Sequence, residues 1–276
     1  MENDLRTLLK KHNLSLKKAY GQNFLTDQSL LLDIVEKAGV TKEDVVLEIG
    51  VGAGALTRVL ASKAKRVFGY EIDTTLKPLL AETLKDFSNV DITFKDVMRE
   101  RVSDIEKRIG GEYIIVANLP YYITTPIIMQ FLDYATKLKA MVVMVQEEVA
   151  ERLSAKEKTS DYGAITVAIN LKGSASIIKR VGREMFTPPP NVDSAVVKID
   201  IEKDKFLGAD LKVIRDIVRC GFSSRRKMLV NNLMKGFKFT RRQCEELLLE
   251  CGINLTCRAE ELSAEDYVRL SEKLRG

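Results

Sequence analysis

A single histidine, His12, is all that this 276-residue sequence offers to imidazole chemistry. A Ser-His-Asp triad or a histidine-rich metal centre would have to be built on it, and its polar N-terminal surroundings argue against both. Cysteine is sparse as well. Cys220, Cys244, Cys251 and Cys257 form no C-x-x-C pair, so a zinc site is not expected and reduced, structural thiols are. No run of about 18 or more apolar residues occurs, which leaves no candidate for a spanning helix. The N-terminus, Met1-Glu2-Asn3-Asp4, lacks the basic flank and apolar stretch of a secretory signal. A cytoplasmic protein without membrane contact is expected.

What is present is a globular balance of 45% hydrophobic and 30% charged residues, enough chain for one large domain and one small one. The net charge of +5 is unevenly spread. Residues 1–204 hold 29 Lys+Arg and 29 Asp+Glu, whereas residues 205–242 hold 11 basic and 2 acidic residues. A solvated basic face is the plain explanation of a charge run, but an excess this local favours an anionic polymer as partner.

Residues 1–20 are polar and basic and are expected to stay flexible until a partner binds. Asp27 starts a helix whose apolar positions Leu30, Leu31, Ile34, Val35 and Ala38 have helical spacing, and Gly39 ends it. Apolar strands then alternate with amphipathic helices. Strands are expected at Val45–Ile49, Arg66–Tyr70, Val90–Phe94, Tyr113–Ala117, Ala140–Val145, Ala164–Leu171 and Ala195–Ile201. Helices are expected at Leu56–Ala64, Thr75–Leu84 and Ile127–Ala135. This alternation predicts an α/β fold, a parallel sheet covered by helices. Beyond a boundary near residue 205 only helices are expected: Leu211–Cys220, Lys227–Met234, Arg241–Cys251 and Ala264–Leu274.

The first strand runs into Glu48-Ile49-Gly50-Val51-Gly52-Ala53-Gly54. Glycines at such a turn let backbone approach a ligand closely. Glu71, at the end of the second strand, can accept hydrogen bonds from both hydroxyls of a ribose, and Asp96, after the third, can receive an adenine amino group. A dinucleotide-binding turn usually reads G-x-G-x-x-G. Here the glycines are Gly50, Gly52 and Gly54, and the preceding Glu48 would repel a phosphate. It would not repel a sulfonium cofactor carrying an ammonium group, so S-adenosylmethionine is favoured over NAD, while an unliganded βα turn is the plain alternative.

Asn118-Leu119-Pro120-Tyr121 follows the fourth strand and so falls on the same carboxyl edge of the sheet. The amino nitrogen of adenine is a poor nucleophile because its lone pair is delocalised into the ring. Two acceptors, the Asn118 side-chain oxygen and the Leu119 carbonyl, can localise that pair toward an incoming methyl group. Pro120 stiffens the turn, and Tyr121 offers a face on which a base can stack. Phe186, on the Pro188-Pro189-Pro190 loop, is a candidate second stacking wall, with a place in the core as the plain alternative. No strong general base is needed, since the nitrogen can lose its proton after methyl transfer, when it is cationic. Alignment and electrostatic support suffice.

Together with Gly21-Gln22-Asn23-Phe24-Leu25, Phe186–Ser194 and Phe222-Ser223-Ser224-Arg225-Arg226-Lys227, these motifs resemble the ribosomal RNA adenine dimethyltransferase family, over about residue 17 to the C-terminus. The resemblance implies a Rossmann-like S-adenosylmethionine-dependent methyltransferase domain over 21–204 and a smaller all-helical RNA-binding domain over 205–276. It implies that Asn23, Leu25, Gly50, Glu71, Asp96 and Asn118 contact the cofactor, with Gly52 in the same loop. Asn118, Leu119, Pro120, Tyr121 and Phe186 would form the adenine pocket.

In such enzymes two methyls are added to each of two adjacent adenines in the 3′-terminal hairpin loop of 16S rRNA, within a small-subunit assembly intermediate. Loss of the bacterial members gives kasugamycin resistance. A sister family methylates one adenine of 23S rRNA and usually reads Asn-Ile-Pro-Tyr, where this chain has Leu119. The continuation Tyr122-Ile123-Thr124-Thr125 departs from the commoner Asn-Ile-Ser-Thr. Expected RNA-backbone contacts are Arg215, Arg219, Arg225, Arg226, Lys227, Lys235, Lys238, Arg241 and Arg242. A monomer is expected. Two other readings stay open on the sequence: a non-catalytic assembly factor with a vestigial pocket, and a nicotinamide-dependent oxidoreductase.

Overall fold

Capping residues set the helix Gln28–Ala38. The Asp27 carboxylate accepts a hydrogen bond from the Leu30 amide at 2.9 Å, and Gly39 closes the helix in the left-handed region. Between them Leu31, Ile34 and Val35 turn one stripe inward. The computed structural model describes residues 2–12, 14, 24–25 and 27–274. Its elements in chain order are α1 (Glu2–Lys11), β1 (Phe24–Leu25), α2 (Gln28–Ala38), β2 (Val45–Ile49), α3 (Ala55–Lys63), β3 (Arg66–Glu71), α4 (Lys77–Thr83), β4 (Val90–Phe94), α5 (Val102–Ile109), β5 (Tyr113–Asn118), α6 (Thr124–Tyr134) and β6 (Leu138–Gln146). There follow α7 (Glu147–Leu153), α8 (Ala164–Asn170), β7 (Gly173–Val181), β8 (Phe186–Thr187), β9 (Ser194–Ile201), α9 (Leu211–Gly221), α10 (Leu229–Phe237), α11 (Arg241–Glu250) and α12 (Ala264–Lys273).

Seven strands form one sheet in the order β4-β3-β2-β5-β6-β9-β7. The five from β4 to β6 pair in parallel, and β9 runs antiparallel to β6. The central strands are rich in Val and Ile and buried along most of their length, as sheets covered on both faces require. On one face Leu31, Ile34 and Val35 of α2 and Leu60 of α3 pack on Val46, Val67, Ile114, Val116 and Val142. Each such side chain taken fully from water contributes about 1.5–3 kcal/mol. The chain builds outward from β2 to β3 and β4, then crosses to β5. Strand order therefore reverses between β2 and β5, the place where open α/β sheets bind ligands.

The chain divides into two compact units, Met1–Ala150 with Ser176–Ile201, and Glu151–Ala175 with Glu202–Gly276. A single boundary near 205 is thus corrected: the segment Glu151–Ala175 belongs to the helical unit. There Tyr162, with no exposed surface, shares an apolar cluster with Ile214, Ile217, Leu229 and Tyr267, and its hydroxyl donates to the Leu262 carbonyl at 2.9 Å. The expected strand at Ala164–Leu171 is helix α8. Short apolar runs have no periodicity that separates a buried strand from a buried helix. Gly163 begins it, and the Thr166 hydroxyl accepts from the Gly163 amide and donates to the Arg152 carbonyl.

Of residues 1–20, residues 2–12 and 14 are described. Residues 2–11 are helical. Leu9 is buried against Val51, Leu76, Leu79 and Leu80, and Glu82 receives Lys11 at 2.6 Å and His12 at 2.9 Å.

Candidate active site

The glycine turn leaves the end of β2 with Gly50 at φ 81° and Gly52 at φ 58°, a region that disfavours any side chain. The Gly50 amide donates to the Tyr70 carbonyl of β3 at 2.9 Å. A Cβ added at Gly52 would stand 3.0 Å from the Phe24 ring, and one at Gly50 would stand 3.4 Å from the Asn118 carbonyl oxygen. The turn after β2 and the end of β5 therefore face each other with backbone nearly in contact, across the switch point.

Between and around them lies a cavity of about 260 Å³. It is lined by Leu25, Gly50, Gly52, Glu71, Asp96, Asn118, Leu119, Pro120 and Tyr121, so these nine expected site residues meet in one place. Two do not. Asn23 lies outside the described residues. Phe186, only 3% exposed, packs in the apolar core with Leu31, Ile34 and Val196 and is not among the residues lining the cavity. Its antiparallel bridge to Leu25 ties the short strand β8 to β1, and the ring is taken up in the core. Leu31, Ile34 and Val196 of that cluster line the cavity themselves.

Glu71 is buried at the end of β3. Its two oxygens accept hydrogen bonds from the amides of Gly52 at 2.7 Å and Asp73 at 2.8 Å. Burial pushes its carboxyl group above the usual range, with these two bonds opposing the rise. Each carboxylate oxygen keeps a second lone pair for a ligand hydroxyl. Asp96 caps the turn after β4, accepting from the Met98 amide at 3.0 Å, with Arg99 3.4 Å away. Pro120 closes the next turn: its carbonyl accepts from the Ile123 amide at 3.1 Å and from the Thr124 hydroxyl at 3.3 Å. Tyr121 is half-buried and its hydroxyl is 2.9 Å from that of Ser194. Burial raises its pKa, so the ring stays neutral.

Glu48, expected to repel a phosphate but not an ammonium-bearing donor, lines the cavity with no exposed surface. Among the described residues neither of its oxygens has a hydrogen-bond partner, and burial pushes its pKa up to about 8, helped by the charge of Glu71. A buried carboxyl group without a partner is costly unless a cation or donor completes it. The cavity thus fits an adenosine-type ligand bearing an ammonium group: an orphaned acid for the cation, Glu71 for ribose hydroxyls, Asp96 for an amine, and a glycine backbone that tolerates close approach. Tyr122 lines the same cavity and is 65% exposed, an aromatic at the rim that the Asn-Ile-Ser-Thr comparison marked only as a departure.

The basic candidates of the helical unit fall into two groups. Arg219, Arg241 and Arg242 are each 2.7 Å from an acid on their own helix, Asp216, Glu245 and Glu246. Arg225 donates to the carbonyls of Ser160 and Tyr162 at 2.5 and 2.8 Å, and Arg215 also has a partner. Arg226, Lys227, Lys235 and Lys238 are exposed and enter no ion pair among the described residues.

Residues 13–275 match the family model described as ribosomal RNA adenine dimethylase. A protein of Bacillus licheniformis named ribosomal RNA small subunit methyltransferase A is 40% identical, covering 98% of this chain and 95% of that one. One of the same name from Clostridium acetobutylicum is 38% identical, covering 99% of each. Among solved structures, a dimethyladenosine transferase from Plasmodium falciparum superposes with a TM-score of 0.78 at 25% identity, covering 91% of this chain and 97% of that one. The 23S rRNA methyltransferase ErmE gives 0.71 at 29%, covering 92% and 100%. The chain belongs to the ribosomal RNA adenine dimethylase family.

Proposed function

We propose that this chain dimethylates the N6 amines of two adjacent adenines in the 3′-terminal hairpin loop of 16S rRNA, acting on a small-subunit assembly intermediate. One observation carries the reading: Glu71 and Asn118, on strands either side of β2, line a single cavity. The small-subunit name of the two bacterial relatives favours that RNA over 23S. The antiparallel strand β9 and the family membership leave no support for the nicotinamide alternative.

S-adenosylmethionine supplies a methyl group activated by a sulfonium centre. Within this chain Gly50 and Gly52 cradle the donor, Glu71 holds its ribose hydroxyls, Asp96 its adenine amine and Glu48 its ammonium. Asn118 and the Leu119 carbonyl accept hydrogen bonds from the target amine and orient its lone pair. Tyr121 stacks the extruded base, recovering roughly 1–3 kcal/mol of the few needed to unstack it. Pro120 and the hydrogen bonds to its carbonyl keep these groups in register. Alignment of this kind is the main source of catalysis where no proton abstraction is needed.

The exposed Arg226, Lys227, Lys235 and Lys238 bind RNA phosphates, giving affinity without sequence information. The protein acts as a monomer in the cytoplasm; no helix among the described residues is long and apolar enough to cross a membrane. Incubation with undermethylated small subunits and a labelled methyl donor should label 16S rRNA. Label in 23S rRNA instead would move the assignment to the sister activity.

A further inference from the structure

The Asn191-Val192-Asp193-Ser194 stretch has no task in the mechanism so far, yet it is anchored at three points. The Asp193 side chain accepts from the Arg183 amide at 3.0 Å and closes the proline loop upon itself. The Asp193 carbonyl accepts from the Glu147 amide at 3.0 Å, fastening the loop to the chain just beyond β6. Ser194 then opens β9, paired with Gln146, and its side chain is 1% exposed. Its hydroxyl lies 2.9 Å from that of Tyr121.

Tyr121 stands on a short turn after β5 and its ring lines the cavity. A ring held only by its own backbone would be free to choose among side-chain rotamers. A second attachment at the far end of the ring removes that freedom. The bond comes from β9, which runs antiparallel to β6, so it links the ring to a rigid element two strands away from β5. Buried hydroxyl groups of this kind are normally paired, and here each satisfies the other.

We propose that Ser194 is a positioning residue for methyl transfer, holding the Tyr121 ring at the angle on which the extruded adenine stacks. This rests on the reading of Asn118–Tyr121 as the adenine pocket. Ser194 touches neither the donor nor the base; it acts through Tyr121.

The test measures single-turnover methyl transfer at saturating RNA and donor for wild type, Ser194→Ala, Tyr121→Phe and the double variant. Calorimetric donor affinity and thermal midpoint are measured alongside. A hydrogen bond of ordinary strength predicts that each single change slows transfer about two- to tenfold. The double variant should be no slower than either single one, because both remove the same bond. Ser194→Thr, which keeps the hydroxyl on a residue suited to a strand, should restore most of the rate.

With 2-aminopurine in place of the target adenine, fluorescence quenching on binding should be weaker in Ser194→Ala than in wild type. Full activity of Ser194→Ala, additive losses in the double variant, or a loss of rate matched by equal losses of donor affinity and thermal midpoint would each overturn the proposal. Tyr121→Phe breaks the bond from its less buried end and keeps the test decisive should Ser194→Ala fail to fold. An inactive wild type would remove the pocket reading itself, whereas an active wild type with a fully active Ser194→Ala removes only this inference.

Discussion

Replacing Glu48 by glutamine keeps the shape of a buried side chain and takes away its charge. In the folded chain burial raises the Glu48 pKa from 4.5 to about 8. The folded protein therefore keeps a proton there that the unfolded chain gives up above about pH 4.5. Where the native state binds more protons than the unfolded state, stability falls as pH rises. The contribution of Glu48 is fully present below pH 4.5 and is lost progressively up to about pH 8. At pH 7 the gap of about 2.5 units corresponds to roughly 3 kcal/mol, an order-of-magnitude figure.

Glu71 is also raised by burial and adds in the same direction, so the test is the difference between wild type and variant. Urea unfolding of the donor-free protein from pH 5 to pH 8 should show Glu48→Gln losing less stability than wild type across the range. It should be the more stable of the two at pH 8. Donor binding should move the other way. An ammonium group favours the ionised acid, so wild-type affinity rises with pH toward 8, while the variant binds more weakly and with a flatter pH profile. Equal stability profiles for the two proteins, or unchanged donor affinity in the variant, would refute the assignment of this carboxyl group to the donor's cation.

Gly52→Ala forces a side chain into the left-handed region, at a cost of about 1–2 kcal/mol, and against Phe24 at 3.0 Å; a lower thermal midpoint and weakened donor binding by calorimetry are expected, and wild-type values for both would contradict the cradle. RNA affinity should fall steeply with salt through counterion release. Removing Lys227 or Lys235 should lower the slope of log affinity against log salt by about 1 each without changing the methylated position. An unchanged slope would take those residues out of the interface.

The parts of the site that were legible in the sequence are those with local signatures. Gly50 and Gly52 sit on the turn after a Val-rich strand, Glu71 and Asp96 follow the next two strands, and Asn118–Tyr121 ends another; each motif is contiguous, and strand alternation alone puts them on one sheet edge. What stayed hidden depends on partners remote in the chain. Ser194 and Tyr121 are 73 residues apart and meet only because β9 inserts beside β6. Glu48 is expected from the sequence to repel a phosphate and not an ammonium-bearing donor, but only the fold shows its oxygens buried with no hydrogen-bond partner among the described residues.

The strand β7 carries Ser and Lys residues that leave it no apolar alternation, and the apolar run Ala164–Leu171, expected as a strand, forms helix α8 because a short run carries no period. Phe186 has the composition of a stacking residue, but pairing of its strand with β1 decides where it packs.

Mass mapping of adenines in the 3′-terminal hairpin of 16S rRNA, on small subunits treated with wild type or with Asn118→Ala, addresses the shared cavity most directly. Wild type should convert two adjacent adenines to their dimethyl forms, and Asn118→Ala should leave them unmodified while still binding the subunit. Dimethylation undiminished in Asn118→Ala, or none with wild type, would contradict the meeting of donor and adenine between Glu71 and Asn118.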